Sequence, residues 1–238
     1  MDEQTFIKEL KKRDIHLNDD QMNQFQLYYD LLIDWNKKMN LTTIVEKEEV
    51  YLKHFFDSIS LSFFFDLHQV QTVCDVGAGA GFPSIPLKIC FPHLHVTIVD
   101  SLNKRISFLQ TLVSQLQLND IELVHERAEN SGQQKMYREK FDLVTARAVA
   151  KMAVLAEYCL PLTKVGGTFI ALKGAQLEEE LSEANNAIKL LGGQLIDHHH
   201  FRLPIEQSER TIVVVDKVHA TKKKYPRKAG LPQKNPLT

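Results

Sequence analysis

Residues 73–83, VCDVGAGAGFP, constrain the fold of this chain more than any other stretch. An apolar, β-branched run leads into three glycines at alternate positions, Gly77, Gly79 and Gly81, and an apolar run with helical spacing follows through Ile89. Glycine has no Cβ, so the backbone of such a turn can approach a ligand closely and can adopt positive φ angles. The free N–H groups that begin the helix would face whatever lies in the turn. The stretch therefore predicts a strand, a turn and a helix that together hold a small ligand.

The acidic residues near this turn indicate the kind of ligand. The fingerprint of dinucleotide-binding proteins is G-x-G-x-x-G, whereas the spacing here is G-x-G-x-G. Asp75 lies just before the first glycine and can pair with a cationic ligand, and Asp100 ends the next predicted strand, where an acid can hold ribose hydroxyls. These features suit S-adenosylmethionine, and here the sequence resembles the class I methyltransferases. A dinucleotide-binding enzyme and a structural turn in another doubly wound protein are the alternatives.

From residue 70 onward, predicted strands alternate with predicted helices. The strands cover residues 72–76, 95–99, 121–125, 141–145 and 168–172, the clearest helices cover 104–118 and 177–191, and two further strands cover 194–201 and 210–217. Such alternation is typical of βαβ units and a parallel sheet, in which ligands bind at the carboxyl ends of the strands. The sequence thus predicts an α/β fold with a Rossmann-like, mostly parallel sheet.

The chain divides into three predicted parts. A helical segment over residues 1–69 packs on a core over 70–218, and a basic tail covers 219–238. In the helical segment, Asn18 and Gln21 have the spacing of a capping box. A second helix, predicted over 46–65, places His54 and Asp57 on one face. This pair can orient a substrate or act as acid and base, or it can be an ordinary surface contact.

The composition excludes several classes of protein. The chain has 238 residues, of which 44% are hydrophobic and 25% charged, which is typical of one large globular domain. No run of about 18 apolar residues is present, so we expect no membrane span. Cys74, Cys90 and Cys159 are isolated from one another, as is typical of reduced core cysteines in a cytoplasmic protein.

Neither the cysteines nor the histidines predict a metal site. The sequence has no C-x-x-C pair. His198, His199 and His200 are consecutive on a predicted strand, where neighbouring side chains point to opposite faces. We therefore expect no bound metal.

The C-terminal residues carry a concentrated positive charge. Residues 217–238 hold seven basic side chains and no acidic one, and the rest of the chain has 22 basic and 30 acidic residues, a net charge of −8. A basic tail on an acidic body indicates a polyanionic partner. Its three prolines and Gly230 favour an extended arm, with a solvated, disordered terminus as the alternative. Truncation after Val218 is then expected to weaken RNA binding and to leave the affinity for a ligand at the glycine turn unchanged.

Residues after three later strands would line the same cleft. Ala128 and Glu129 follow the third strand, and a small residue beside an acid suits an adenine ring and its exocyclic amine. Arg147 follows the fourth strand, where methyltransferases place residues that contact the substrate, although an Arg at a strand end also commonly forms a surface ion pair. Lys173 follows the fifth strand and can face the cleft as well.

The absence of certain sequence motifs limits which atom could accept the methyl group. Enzymes that methylate exocyclic amines usually have an Asn- or Asp-Pro-Pro-aromatic motif after the fourth strand, where this chain has TARAVAK. Methylation of pyrimidine C5 needs a nucleophilic cysteine, but Cys159 lies in a predicted helix end. Ribose methylation needs a group that deprotonates the hydroxyl, and the sequence offers no such arrangement. A ring nitrogen such as guanine N7 already has a lone pair and needs only positioning.

Six motifs together carry a closer resemblance. They are DWNKKMNLT at 34–42, LKHFFDS at 52–58, CDVGAGAGFPSIPLKI at 74–89, RAE at 127–129, VTARAVA at 144–150 and YPRK at 225–228. Over essentially its whole length the chain resembles the ribosomal small-subunit methyltransferase G family, also called glucose-inhibited division protein B. The tail departs from that family where RKAGLPQK replaces an expected proline-before-glycine form.

The resemblance implies a fold and a function. The fold would be a class I methyltransferase with a seven-stranded sheet whose last two strands are antiparallel. The activity would be S-adenosylmethionine-dependent methylation of guanine N7 in the 16S rRNA of the small ribosomal subunit, and we expect a monomer. A non-enzymatic factor that binds rRNA or the ribosome on the same scaffold and a small-molecule methyltransferase are the alternatives.

The expected site residues fall into two groups. The cofactor residues are Asp75, Gly77, Gly79, Phe82, Asp100, Ala128, Glu129 and Arg147, and Arg147 would also position the substrate without a general base. Tyr225 among basic residues suits base stacking beside a phosphate backbone. The expected RNA contacts are His54, Lys173, Lys222, Lys223, Lys224, Tyr225, Arg227 and Lys228.

Overall fold

A mixed β-sheet organises the chain, which the computed structural model describes over residues 1–175 and 177–237. Over these residues seven strands lie in the order β3-β2-β1-β4-β5-β7-β6. They are β1 (Thr72–Val76), β2 (His95–Asp100), β3 (Ile121–His125), β4 (Phe141–Arg147), β5 (Thr163–Lys173), β6 (Gly193–Arg202) and β7 (Glu209–Lys217). Strands β1 to β5 pair in parallel, and β7 lies antiparallel between β5 and β6. The predicted α/β fold and mostly parallel sheet are confirmed.

Helices surround the sheet and form two hydrophobic cores with it. The helices are α1 (Glu3–Lys11), α2 (Asp19–Met39), α3 (Lys47–Val50), α4 (Asp57–Ile59), α5 (Ser84–Cys90), α6 (Asn103–Gln115), α7 (Ala128–Ser131), α8 (Met152–Cys159), α9 (Glu178–Leu190) and α10 (Leu231–Lys234). Along β5, Ile170 and Leu172 point to one core and Phe169 and Ala171 to the other, as side-chain alternation on a strand requires. The first core takes in α1, α2, α5 and α6, and the second takes in α8, α9 and part of the tail.

The N-terminal helices confirm one prediction and correct another. The capping box is present, since Asn18 Oδ1 accepts a hydrogen bond from the Gln21 N–H at 2.8 Å and Gln21 Oε1 accepts one from the Asn18 N–H at 2.9 Å. The single helix predicted over 46–65 is wrong in detail, because α3 continues into a π-helix over Tyr51–Phe56, α4 and a 3₁₀ helix over Ser60–Phe63. Inside the wider π turn, Phe55 packs on Phe25 with ring centres 5.0 Å apart, a tertiary contact that no local pattern displays.

The tail does not form the predicted extended arm. The Arg138 guanidinium donates hydrogen bonds to the carbonyls of Thr221 and Tyr225, at 2.7 and 2.8 Å. The Tyr225 side chain is buried in the second core, and the short helix α10 follows it in the tail. The prolines do exclude a long helix, but buried partners elsewhere in the protein hold the tail against the body.

The connections place a cleft at one edge of the sheet. Strand β1 pairs with β2 on one side and with β4 on the other, so the strand order reverses at β1. In open α/β sheets this reversal opens a crevice at the carboxyl ends of the strands. Within the described residues no helix is long and apolar enough to cross a membrane.

The glycine turn is fixed by close packing at one position, which a substitution can test. Gly81 has φ +97°, and a Cβ there would lie 2.7 Å from the Tyr28 hydroxyl and 2.8 Å from Ile85 Cγ1. Gly166 also has a positive φ, +84°, but a Cβ there meets nothing within 4 Å. We expect Gly81→Ala to lower the free energy of unfolding by about 1–3 kcal/mol more than Gly166→Ala, because only the first adds overpacking to backbone strain. Urea unfolding measures both, and equal losses would contradict the packing argument.

Candidate active site

A cavity of about 730 Å³ opens at the carboxyl ends of the central strands. Residues from the glycine turn, the ends of β2, β4 and β5, the N-terminal segment and α10's Gln233 line it. Its volume lies in the usual range of small-molecule sites, roughly 300–1,000 Å³. The cleft predicted from strand order is therefore a formed cavity.

The glycine turn presents its backbone to the cavity. Gly77 and Gly79 have φ angles of +74° and +62°, and the Gly79 N–H donates a hydrogen bond to Asp100 Oδ2 at 3.1 Å. A Cβ on Gly79 would meet no atom within 4 Å. Since both residues line the cavity, a side chain at Gly79 would occupy space that a ligand needs.

Asp75 lies outside the described lining of the cavity. Its carboxylate is fully buried, with Oδ2 accepting a hydrogen bond from the Ser84 N–H at 3.0 Å and Oδ1 without a partner among the described residues. Burial raises the pKa of this carboxyl group to about 7, so it is not a permanent anion at neutral pH. Asp75 Oδ2 binds the first N–H of α5, and the pairing of Asp75 with a cationic ligand stays a prediction.

Two other predicted acids do line the cavity. Asp100 is buried, and its Oδ1 accepts a hydrogen bond from the Leu102 N–H at 2.9 Å while Oδ2 faces Arg105 at 3.3 Å. Glu129 is buried beside Ala128 at the start of α7, and its Oε1 accepts a hydrogen bond from the Gly230 N–H at 2.7 Å. The structure therefore brings Asp100, Ala128 and Glu129 together with the glycine turn, as expected.

The tail completes this side of the cavity. Arg227 binds the fully buried Glu157 through both its guanidinium and its backbone, with Nη2 to Oε2 at 2.6 Å and N to Oε1 at 2.7 Å. Gln233 of α10 lines the cavity itself. Sequence analysis missed both Glu157 and Gln233. A signal for Glu157 was available, since it is the single charged residue of the apolar helix α8, MAVLAEYC.

Arg147 is held firmly at the opposite wall. Its Nη1 donates to the Asp57 carboxylate at 3.0 Å and to the Lys53 carbonyl at 3.1 Å, and Nη2 lies 3.3 Å from His54 Nδ1. The guanidinium carbon lies 4.8 Å from the centre of the Phe82 ring, which is a cation–π geometry. The Arg147 side chain is 13% exposed, so its ion pair is a buried one that lines the cavity.

His54 positions Arg147 in its neutral form. An arginine can only donate hydrogen bonds, so His54 Nδ1 must accept, and Nε2–H then donates to Thr42 Oγ1 at 2.9 Å. Burial and the neighbouring Arg147 charge lower the pKa of His54 to about 3. The ring also stacks on Phe82, with centres 4.6 Å apart. Both ring nitrogens have partners inside the protein, so the predicted contact of His54 with RNA does not fit this arrangement.

Asp57 links Arg147 to a second arginine. Asp57 Oδ1 accepts a hydrogen bond from Arg210 Nε at 2.9 Å, and its carboxylate is 9% exposed. Arg210 lies in β7 and lines the cavity. Sequence analysis missed Arg210, because the two partners are 153 residues apart and no local pattern marks the pair.

The other predicted RNA contacts divide into engaged and exposed side chains. Lys173 lines the cavity, but its Nζ is bound to Glu180 Oε1 at 2.6 Å and to the Ala150 carbonyl at 3.1 Å. Tyr225 is buried, so the prediction that it stacks on a base is wrong. Arg227 is paired with Glu157, and its contact with RNA stays a prediction. Lys222, Lys223, Lys224 and Lys228 are exposed, as is Lys234, and the contact of the first four with RNA stays a prediction.

Comparisons with known proteins identify the family of the chain. The family model described as rRNA small subunit methyltransferase G matches residues 21–212. The Ribosomal RNA small subunit methyltransferase G of Bacillus velezensis is 59% identical over 237 residues, which cover 100% of this chain and 99% of that protein. The protein of the same name from Listeria monocytogenes is 56% identical, with 100% of both chains covered. The chain belongs to the rRNA small subunit methyltransferase G family. The resemblance drawn from the six motifs is thereby confirmed.

Solved structures agree on the fold. M. jannaschii TYW2 in complex with AdoMet superposes with a TM-score of 0.54 at 15% identity, over 73% of this chain and 77% of that one. At this identity the likeness concerns the fold alone, which is that of the class I methyltransferases. The family model ends at residue 212, so the tail that closes the cavity lies beyond its match.

The contacts of the tail reverse the expectation for its truncation. A chain that ends at Val218 lacks Gly230, Arg227 and Gln233, and it leaves the buried Glu157 carboxylate unpaired, which typically costs ~3–5 kcal/mol. We expect this truncation to weaken S-adenosylmethionine binding strongly in calorimetry. Replacing Lys222, Lys223 and Lys224 together by alanine should leave that affinity unchanged and reduce the salt dependence of RNA binding.

A matched pair of point variants separates the effect of the ion pair with Glu157 from the effect of the positive charge of the tail. Arg227→Ala removes the partner of Glu157, whereas Lys228→Ala removes a neighbouring exposed charge. Only the first should lower the thermal midpoint and the cofactor affinity. If the truncated chain and Arg227→Ala both bind S-adenosylmethionine as the intact chain does, the tail has no part in the cofactor site.

The neutral state of His54 predicts a pH-dependent stability. The unfolded chain takes up a proton at this residue near pH ~6.5, whereas the folded chain does so near pH 3. The folded state therefore loses stability as the pH falls from 6.5 toward 3, by about 2–3 kcal/mol at pH ~4.5 from this group. The His54→Asn variant should lack this contribution to the pH dependence of the free energy of unfolding. The difference in unfolding free energy between wild type and this variant should therefore become smaller as the pH falls.

Urea unfolding between pH 8 and pH 4.5 measures this difference. The exposed His16 provides a control, since His16→Asn removes a histidine that is exposed rather than buried. A stability difference between wild type and His54→Asn that stays constant over this range would contradict the assignment of a neutral His54.

Proposed function

We propose that the protein transfers a methyl group from S-adenosylmethionine to N7 of a guanine in the 16S rRNA of the small ribosomal subunit, as a monomer in the cytoplasm. The observation that carries the proposal is the cavity itself. A glycine turn and two buried acids form one wall, and an arginine fixed by Asp57 and His54 forms the other. Membership of the rRNA small subunit methyltransferase G family supports the same reaction.

The first wall fits the cofactor. Asp100 and Glu129 are buried acids that accept three hydrogen bonds and one hydrogen bond, respectively, from the protein, and carboxylate oxygens have further lone pairs for ribose hydroxyls and an adenine amine. The open space beside Gly79 admits the ligand close to the backbone. S-adenosylmethionine supplies an electrophilic methyl group on a sulfonium. The chain's own part is to hold that ligand and to exclude water around it.

The second wall fits an anionic substrate. Lys53, Arg147 and Arg210 all line the cavity on the side formed by the N-terminal segment, β4 and β7. Arg147 has five N–H donors, and three contacts to the protein leave others for a ligand. In the proposed reaction these donors hold guanine O6, which leaves the N7 lone pair open to the methyl group.

The titratable groups in the cavity also fit a reaction without a general base. His54 is neutral but bonded at both nitrogens, and Asp57 binds two guanidinium groups. Burial raises the pKa of Tyr158 to about 12. Guanine N7 needs no deprotonation before it accepts a methyl group, unlike a ribose hydroxyl. Because His54 and Asp57 are engaged in contacts within the protein and Tyr158 keeps its proton, the site favours guanine N7 over a hydroxyl group as the methyl acceptor.

Two alternatives have distinct consequences. A non-enzymatic rRNA-binding factor has no use for a cavity lined by an open glycine turn and two buried acids, and it would bind RNA without S-adenosylmethionine. A small-molecule methyltransferase would gain nothing from the exposed lysines of the tail, and its activity would not depend on ribosomal RNA.

A methylation assay with mapped products tests the proposal. We expect the purified protein to methylate 16S rRNA or small subunits from a strain that lacks it, with N7-methylguanine located by mass spectrometry. Arg147→Ala should lower the rate at least about tenfold, since removing one well-placed donor commonly costs ~10²-fold or more. Gly79→Val should abolish cofactor binding while the chain stays folded.

The control is Arg202→Ala. This substitution removes an exposed ion pair with Glu209, and neither residue lines the described cavity. It should leave the rate within about threefold of wild type, well below the ~1.4 kcal/mol of a tenfold change. A strain that lacks the protein but retains every N7-methylguanine in its 16S rRNA would refute the proposed reaction. Preference for NAD over S-adenosylmethionine would refute the proposed cofactor.

A further inference from the structure

A surface cluster outside the active site has the composition of a metal site. His198 and His200 lie on β6, the edge strand of the sheet, and Glu178 is the first residue of α9, which packs beside that strand. One nitrogen of each ring and one Glu178 oxygen lie within 4.8 Å of one another. All three side chains reach solvent, so an ion has free access to them.

The distances in the cluster favour a metal over hydrogen bonds. Glu178 Oε1 lies 3.4 Å from His198 Nε2 and 3.3 Å from His200 Nε2. Charge-assisted hydrogen bonds between such groups are shorter, about 2.7–2.9 Å. Ligand atoms held ~2.1 Å from a tetrahedral zinc ion lie about 3.4 Å apart. The Glu178 oxygen thus has the separation from each imidazole that two corners of a zinc tetrahedron have.

A buried hydroxyl group orients one of the rings. His200 Nδ1 lies 2.9 Å from Thr211 Oγ1 on the neighbouring strand β7, and Thr211 is buried. Metal-binding histidines commonly have their second ring nitrogen bonded in this way, which fixes the ring and leaves the other nitrogen for the metal. The strand turns His199 to the other face, where its ring stacks on Phe64 at 4.7 Å.

We propose that Glu178, His198 and His200 bind one Zn²⁺ ion. Two imidazoles and a carboxylate are ligands that zinc accepts, whereas Mg²⁺ and Ca²⁺ prefer sites built from oxygen alone. The expectation of no metal came from neighbouring strand residues that point to opposite faces. That argument holds for His199, but His198 and His200 lie two residues apart and share a face. The third ligand comes from a helix, which the histidine pattern alone does not reveal.

An ion at this position would tie the first turn of α9 to the edge strand. In the same turn, Glu180 accepts a hydrogen bond from Lys173 at 2.6 Å, and Lys173 lines the active-site cavity. Zinc would therefore stabilise one wall of the cavity from outside without touching a ligand in it.

Calorimetric titration of the full-length chain with zinc chloride, after removal of any histidine tag, tests the proposal. We expect one equivalent of zinc per chain and no heat with magnesium chloride. Glu178→Gln, His198→Gln and His200→Gln should each weaken zinc binding at least about tenfold. Zinc should raise the thermal midpoint of the wild type and not that of these variants.

His199→Gln is the matched control, because it removes the same side chain from the same strand on the opposite face. It should keep both the zinc affinity and the thermal shift. Thr211→Val leaves all three ligands in place and should weaken binding by ~10-fold through loss of ring orientation, which tests the site even if a ligand variant fails to fold. A wild type that binds no zinc at micromolar concentration, or a His199→Gln variant that loses as much affinity as His200→Gln, would overturn the proposal.

Discussion

The carboxylate of Asp57 is the contact on which the architecture of the site depends. Asp57 belongs to the N-terminal segment, and it binds Arg147 of β4 and Arg210 of β7 at 3.0 and 2.9 Å. Removing a buried charge from water is costly unless its partners are well placed, and here two guanidinium groups supply them. The N-terminal helices are therefore a wall of the cavity, joined to the sheet by charge as well as by the aromatic packing of the π turn.

A second buried acid has the same role on the other side. Glu157 is fully buried in α8, and the Arg227 guanidinium makes three nitrogen–oxygen contacts with its carboxylate. If the tail supplied only positive charge, Arg227 would be exposed to solvent. Instead Tyr225 is buried and Arg227 is partly buried, whereas the lysines around them are exposed. The segment that carries these exposed lysines also supplies Gln233 to the lining of the cavity.

The difference between what the sequence predicts and what it misses follows sequence distance. Strands, the glycine turn and the capping box rest on residues within a few positions of one another, and Asn18 with Gln21 is correct to the atom. The pairs Asp57–Arg210 and Glu129–Gly230 join residues 153 and 101 positions apart, and no periodicity marks them. Motif resemblance located Arg147 but not its partners. For Asp75 the local pattern did not reveal that the carboxylate also binds the start of α5.

The charges in the cavity bear on how a methyl group can be transferred in it. In the proposed reaction S-adenosylmethionine would supply the methyl group, Asp100 and Glu129 would hold its ribose and adenine, and the positive charge of the methylated guanine would develop beside Arg147. Two unshielded guanidinium groups there would oppose this development of charge, since like charges at close range repel strongly in a site with little water. Asp57 lies between both guanidinium groups and offsets one of their charges. Its carboxylate thus fixes the geometry of Arg147 and also lowers the electrostatic penalty that Arg147 would otherwise impose on the reaction.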